Sequence, residues 1–202
     1  VSGFALISAA VAAAPLVFTT LQTDAGPVEY AVLTPDGPGP HPAILALPPG
    51  PQTREMVTES LAPWQAQMRA DGFIVVSPVA PVEGLYTCAC AHDRLPALMD
   101  HVASVAPVQD GGWHLFGISN GGRSALVVGP AYPTRFRSVT VLPGATSNPE
   151  SLAPLAHVPI TLVVGADDGG WLQSSQRAQQ TIAATGGDVS LVVLPSQGHS
   201  AF

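Results

Sequence analysis

Trp113-His114-Leu115-Phe116-Gly117-Ile118-Ser119-Asn120-Gly121-Gly122-Arg123-Ser124-Ala125-Leu126 is the stretch on which the reading of this chain turns. An apolar strand, Trp113 to Phe116, runs into a glycine-flanked serine, and a helix of small residues opens directly after it. A strand that turns this abruptly into a helix holds its central residue at a strained backbone angle. Glycines two positions to either side, Gly117 and Gly121, let neighbouring chain approach closely. The hydroxyl of Ser119 is thereby presented outward. The helix start beside it supplies unpaired backbone N–H groups and a partial positive charge, which suit an oxygen that becomes negative during acyl transfer. The N–H of Asn120 is the natural first donor. The plainer alternative is a glycine-rich turn that only packs a helix on a sheet. A dinucleotide-binding turn is excluded, because the Gly-x-Gly-x-x-Gly spacing is missing.

Outward from this turn, short apolar and β-branched runs alternate with helical stretches, the pattern of a mostly parallel sheet covered by helices on both faces. Strands are expected near 16–22, 28–34, 42–47, 73–77, 113–117, 137–142, 159–165 and 189–194. The first two form an antiparallel pair, since Thr23-Asp24-Ala25-Gly26 is turn chemistry too short for a crossover. Helices are expected near 55–70, where Met56, Leu61, Trp64 and Met68 recur at helical spacing, and near 93–106, 119–129 and 171–185. Nothing between Pro143 and Pro159 is long enough for a cap, so residues 1–202 read as one α/β domain without one.

The composition fits one such domain. Of 202 residues, 47% are hydrophobic and 10% charged, enough for one sizeable core and too few for two ordinary domains. The seven basic residues are all arginine and face fourteen acids, so the net charge of −7 leaves no basic stripe for nucleic acid. The 21 prolines and 20 glycines fall between apolar runs and punctuate turns, which argues against disorder. Cys88 and Cys90 are too close in sequence for an easy disulfide ring and are read as two packed thiols, in preference to a redox or metal pair. Residues 1–14 read either as the remnant of a secretory signal, with Ala12-Ala13-Ala14 like a cleavage site, or as a lead-in to the first strand. The run lacks a basic leading region and contains Pro15, so it makes a poor membrane span. Secreted, periplasmic and cytoplasmic settings all stay open, as does the oligomeric state.

The serine turn in this strand order resembles the α/β-hydrolase superfamily over essentially the whole chain. Within it the chain is similar to the small carboxylesterase, dienelactone-hydrolase-like and polyester-depolymerase or feruloyl-esterase-like branches. The resemblance implies a serine nucleophile, then an acid after a later strand, then a histidine near the end. It places the histidine at His199, in Gln197-Gly198-His199-Ser200 just after the last apolar strand. His41, His92, His101, His114 and His157 lie in loops, helices or strands and read as surface or packing residues. For the acid it points to Asp168, three residues after Gly165, with Asp167 as a turn residue or a helix N-cap; the plainer reading has both aspartates capping that helix. The order Ser119, Asp168, His199 is the α/β-hydrolase order.

A second oxyanion donor is expected from Leu47-Pro48-Pro49-Gly50-Pro51-Gln52-Thr53. The family often carries a His-Gly pair here, and this chain departs from that. Three prolines cannot donate, which leaves Gly50, the preferred position, or Gln52 through its backbone or amide. The resemblance thus implies a serine esterase acting on small or polymeric esters, with no metal or organic cofactor required. The alternatives are a peptidase or amidase of the same fold, and a non-catalytic hydrolase-like binding protein. Pocket walls are expected from the loops 80–92 and 143–152, with Gln52, Leu85, Tyr86, Trp171 and Leu172 as candidate substrate contacts. The sequence runs three residues past His199, whereas the resembled fold commonly adds a closing helix. Either the histidine loop is weakly anchored or the sequence is truncated.

Overall fold

The computed structural model describes residues 16–199; the alternatives for residues 1–14 lie outside it. Eight strands form one sheet in the order β1-β2-β4-β3-β5-β6-β7-β8. These are β1 (Phe18–Thr23), β2 (Gly26–Leu33), β3 (His41–Leu47), β4 (Ile74–Pro78), β5 (Val108–Ile118), β6 (Ser138–Leu142), β7 (Ile160–Gly165) and β8 (Val189–Leu194). β1 and β2 pair antiparallel across the Thr23–Gly26 turn, as expected, and β2 also runs antiparallel to β4. From β4 onward every pairing is parallel. Parallel neighbours need crossover connections, and the helices supply them.

The expected helix over 55–70 is two helices, α1 (Arg54–Leu61) and α2 (Gln65–Ala70), separated by a tighter turn at Ala62–Trp64. Pro63 sits in that turn; it has no N–H to continue the ladder and its ring crowds the preceding turn. Thr53 caps α1, its hydroxyl accepting from Met56 N. The expected helix near 93–106 is α4 (Leu95–Val105), which begins at a proline-containing turn and is preceded by the short α3 (Ala89–His92). α5 spans Asn120–Ala131 and α6 spans Gly169–Ala184. Between Pro143 and Pro159 there is only the short 3-10 segment Pro149–Leu155.

β5 starts five residues before the expected strand. His41 pairs with Val108 and Ala43 with Trp113, so two steps on β3 face five on β5 and the surplus bulges out. Gly111 makes this feasible at φ +60°. Asp110-Gly111-Gly112 is polar turn chemistry, which is why periodicity alone reads it as loop.

Two apolar clusters sandwich the sheet. The larger joins Leu45, Leu115, Val139 and Leu162 to Leu98, Leu126 and Ile182 of α4, α5 and α6. The smaller, on the opposite face, joins Ala46, Val75 and Leu33 to Val57 and Leu61 of α1. Farther along that second face an open groove is lined by Ile44, Phe73, His114, Phe116 and Thr140.

One expectation is overturned outside the site. Cys88 and Cys90 are joined in a disulfide, not packed as free thiols. Cys88 is the extended N-cap of α3, and the turn there brings the two Cα atoms to 5.2 Å, inside the span a disulfide requires. Both residues are exposed.

Candidate active site

At the C-terminal end of β5 the chain reverses direction within one residue. Ser119 adopts φ +55° and ψ −114°, and α5 begins at Asn120. The flanking glycines are required sterically. A Cβ on Gly117 would lie 2.2 Å from Gly121 O, and one on Gly121 would lie 2.0 Å from Leu47 O. Gly122 likewise abuts Pro143 O. The turn is wedged between the ends of β3 and β6, which fixes the direction of the serine side chain.

The structure brings Ser119, His199 and Asp168 together. Ser119 Oγ lies 2.9 Å from His199 Nε2, and His199 Nδ1 lies 2.9 Å from Asp168 Oδ2. With the ring proton on Nδ1, the imidazole donates to the carboxylate and its Nε2 accepts from the serine hydroxyl. Asp168 follows β7 and occupies the N-cap position of α6, yet its side chain makes no capping bond there. Its carboxylate is turned to His199 and is 10% exposed, against 42% for the imidazole. The adjacent Asp167 is exposed; its N–H donates to Gln197 O at 2.9 Å. That bond and Ala166 N to Leu194 O, also 2.9 Å, tie the histidine loop to the end of β7. Gly165 permits the contact, since a Cβ there would lie 2.1 Å from Gln197 O.

The two expected donor positions have different surroundings. Asn120 N lies in the first turn of α5, where backbone N–H groups have no intrahelical acceptor. Gly50 adopts φ +57° in a turn closed by Gln52 N donating to Pro49 O at 3.0 Å. Because a trans peptide points its C=O and N–H in opposite directions, Gly50 N–H faces out of that turn. No acceptor for it occurs among the described residues. Gly50 O accepts from Asn120 Nδ2 at 3.0 Å.

Two sequence expectations change. Gln52 is no donor or substrate contact: its N–H is spent on Pro49 O and its side chain is fully buried, with Nε2 donating to Ser124 Oγ at 3.1 Å and Oε1 accepting from Tyr86 N at 3.0 Å. Tyr86 is also fully buried and belongs to the larger core cluster. Its hydroxyl donates to Val79 O at 2.7 Å, and burial pushes its pKa far above the ordinary tyrosine range. Of the two alternatives for Asp167, the turn residue holds, and Asp168 occupies the N-cap position of α6. Trp171, by contrast, lies beside the site, half-buried, its ring 5.0 Å from that of His199 and tilted 39° to it. Leu85 and Leu172 are half-buried.

The loop after β6 is held to α6, where Ser174 Oγ pairs with Thr146 N and O, and Ser175 Oγ donates to Gly144 O at 3.2 Å. The loop after β4 is tied at Arg94, which is buried, donates Nε to Ala25 O at 3.0 Å, and pairs with Glu83. A hydrogen bond from its own backbone and the Arg94 guanidinium hold the Glu83 carboxyl below the usual range. Ser174, Ser175 and Arg94 stand plainly in the sequence, but nothing local marked them as anchors of the loops around the site.

No protein-family model matches the chain, and no curated protein matches it in sequence. Its likeness is structural. A thermostable esterase superposes with a TM-score of 0.75 at 14% identity, covering 90% of this chain and 55% of that one. A ferulic acid esterase from the fungus Anaeromyces mucronatus gives 0.74 at 12% identity, covering 96% and 88%. Dipeptidyl peptidase 4 of Porphyromonas gingivalis gives 0.71 at 14% identity, covering 93% of this chain and 33% of the peptidase. The chain therefore spans about half of the thermostable esterase and a third of the peptidase. The shared architecture is the α/β-hydrolase fold, with no separate cap evident among the described residues. Among those residues, no helix is long and apolar enough to cross a membrane.

Proposed function

We propose that this protein is a serine hydrolase that cleaves carboxylic esters through an acyl-enzyme. The observation that carries the reading is the linked pair of 2.9 Å contacts from Ser119 through His199 to Asp168, built on a serine at φ +55° beside a helix N-terminus. Ser119 Oγ attacks the ester carbonyl carbon while its proton passes to His199 Nε2. Asp168 keeps the ring oriented and stabilises the imidazolium. Asn120 N–H, with Gly50 N–H as second donor, meets the oxygen that becomes negative. Removing one such donor costs about 2.7–4 kcal/mol of transition-state stabilisation. Collapse expels the alcohol, which takes the proton from Nε2. Water then attacks the acyl-serine by the same route and releases the acid. Trp171, alongside His199, offers a flat apolar wall to the group bound there.

The test is covalent labelling with a fluorophosphonate, followed by hydrolysis of p-nitrophenyl esters of increasing acyl length and of the matching anilides. Labelling that maps to Ser119 and vanishes in Ser119→Ala, with esters cleaved faster than anilides, is the expected result. Faster anilide cleavage identifies an amidase instead. A folded protein that neither labels nor turns over esters is a binding protein, and the reading fails.

A further inference from the structure

The segment Pro48–Gln52, just past the end of β3, is poor in the groups that normally hold a loop still. Pro48, Pro49 and Pro51 have no N–H, and Gln52 N is spent within the turn on Pro49 O. If Gly50 N–H is left for a substrate oxygen, the segment has no backbone donor with which to fasten itself to the rest of the protein.

Two amide side chains, together with the Gln52 carbonyl, do the fastening. From α5, Asn120 Nδ2 donates to Gly50 O at 3.0 Å. From within the loop, the fully buried Gln52 donates Nε2 to Ser124 Oγ at 3.1 Å, and its Oε1 accepts from Tyr86 N at 3.0 Å. Its carbonyl accepts from Ala80 N at 2.8 Å. Asn120 and Ser124 are four residues apart on a helix and so lie on one face, and between them Gly121 abuts Leu47 O. The helix that begins at the nucleophile thus grips the loop at both ends of the Gly50–Gln52 turn. Gln52 also carries φ +56°, where a residue present only to turn the chain would be glycine. Its side chain is what the position uses.

We infer that the side chains of Asn120 and Gln52 are positioning residues that fix Gly50 N–H relative to Asn120 N–H, and so set the geometry of the oxyanion site. Asn120 then serves twice, its backbone as donor and its amide as clamp. The inference rests on the ester-hydrolase reading above. Because the oxygen to be held acquires full charge only in the tetrahedral state, a displaced donor weakens that state more than the bound ester.

The experiment compares Asn120→Ala, Gln52→Met and Ser124→Ala with wild type, using p-nitrophenyl ester kinetics and inhibition by an alkyl trifluoromethyl ketone, which forms a tetrahedral oxyanion adduct on serine. Expected is a fall in kcat on the order of 10–100-fold with KM changed by less than about twofold, and a rise in the inhibition constant by the same factor as the fall in kcat/KM. Gln52→Met and Ser124→Ala remove one shared bond, so the double variant is no worse than Gln52→Met alone. If Gln52→Met does not fold, Asn120→Ala decides, since its side chain is half-exposed and its backbone donor is kept. Wild-type kcat and inhibition in Asn120→Ala and Ser124→Ala overturn the proposal. Losses in KM with no change in inhibition overturn it too. If wild type and Ser119→Ala are equally inert toward esters, it is the ester-hydrolase reading that fails.

Discussion

Ser119 holds a sparsely populated positive-φ backbone conformation that costs a residue with a Cβ about 1–3 kcal/mol. The glycines around it and the carbonyls of Leu47 and Pro143 close on the turn and keep it there. Strain of that kind persists only where the surroundings over-determine it, and here its product is a hydroxyl aimed at an imidazole. The two neighbouring aspartates show how burial separates like residues. Asp168 is nearly buried against His199 Nδ1, whereas the side chain of Asp167 points to solvent and only its backbone is used. Asp168→Asn is expected to lower kcat/KM for a p-nitrophenyl ester by about 10³–10⁴-fold, because an amide no longer stabilises the imidazolium or holds the ring's tautomer. Asp167→Asn is expected to stay within about twofold, as an exposed substitution that leaves the backbone bond intact. Comparable losses in both would remove the distinction.

At the scale of elements, the parallel strands follow from apolar runs, because a parallel sheet buried on both faces writes itself as near-continuous Val, Ile and Leu, and the antiparallel start follows from the short Thr23–Gly26 turn. The serine turn was legible for the same reason, since Ser119 stands at the end of an apolar run; Asp168 and His199 were singled out by the family resemblance, and the structure sets the three side chains within hydrogen-bonding distance of one another. What the sequence hid depends on burial and partners. Gln52 and Tyr86 look like polar loop residues fit for substrate, and only packing reveals that both are inside. The Cys88–Cys90 bond depends on a local turn at the start of α3 that spacing alone does not disclose. The helix break at Pro63 was written in the sequence, but the apolar spacing across it suggested continuity. Close packing between elements gives a sharp test. Gly121→Ala places a methyl 2.0 Å from Leu47 O and 2.6 Å from Pro48 O, both backbone atoms that cannot swing aside. It is expected to destabilise by about 1–3 kcal/mol in urea denaturation, as overpacking does. Gly170→Ala, in the first turn of α6 with nothing within 4 Å of the new methyl, is expected to be neutral or stabilising by up to about 1 kcal/mol. Equal effects at the two positions would show that the serine turn is not held by contact with the end of β3.

Across the whole molecule, helices α3 to α6 lie on one face of the sheet and α1 and α2 on the other, with a buried histidine on the first side and a half-buried one on the second. His92, in α3, is buried beside Tyr132 and Asp93. Because Tyr132 donates its hydroxyl hydrogen to Asp93 at 2.7 Å, the 3.2 Å contact from His92 Nδ1 to the same oxygen requires the ring to be the donor. His114, in β5, lies 2.7 Å from Ser138 Oγ at the open groove. Burial is the main cause that pushes both imidazoles below the ordinary histidine value; the Asp93 carboxylate partly opposes it at His92, and Arg137 adds to it at His114. A depressed pKa means that the folded protein binds fewer protons than the unfolded chain in the window beneath the ordinary value of about 6.5. Stability is therefore complete above that value and is lost as the pH falls through the folded-state values. The Tm of the wild type is expected to decline between about pH 7 and pH 5, before most carboxylates take up protons. A His92→Gln, His114→Gln double variant, with a lower Tm at neutral pH, is expected to show a shallower decline over the same interval, because two groups that must be kept neutral have been replaced by groups that do not titrate. An unchanged slope, read by thermal unfolding at matched ionic strength, would place the acid sensitivity of the fold elsewhere.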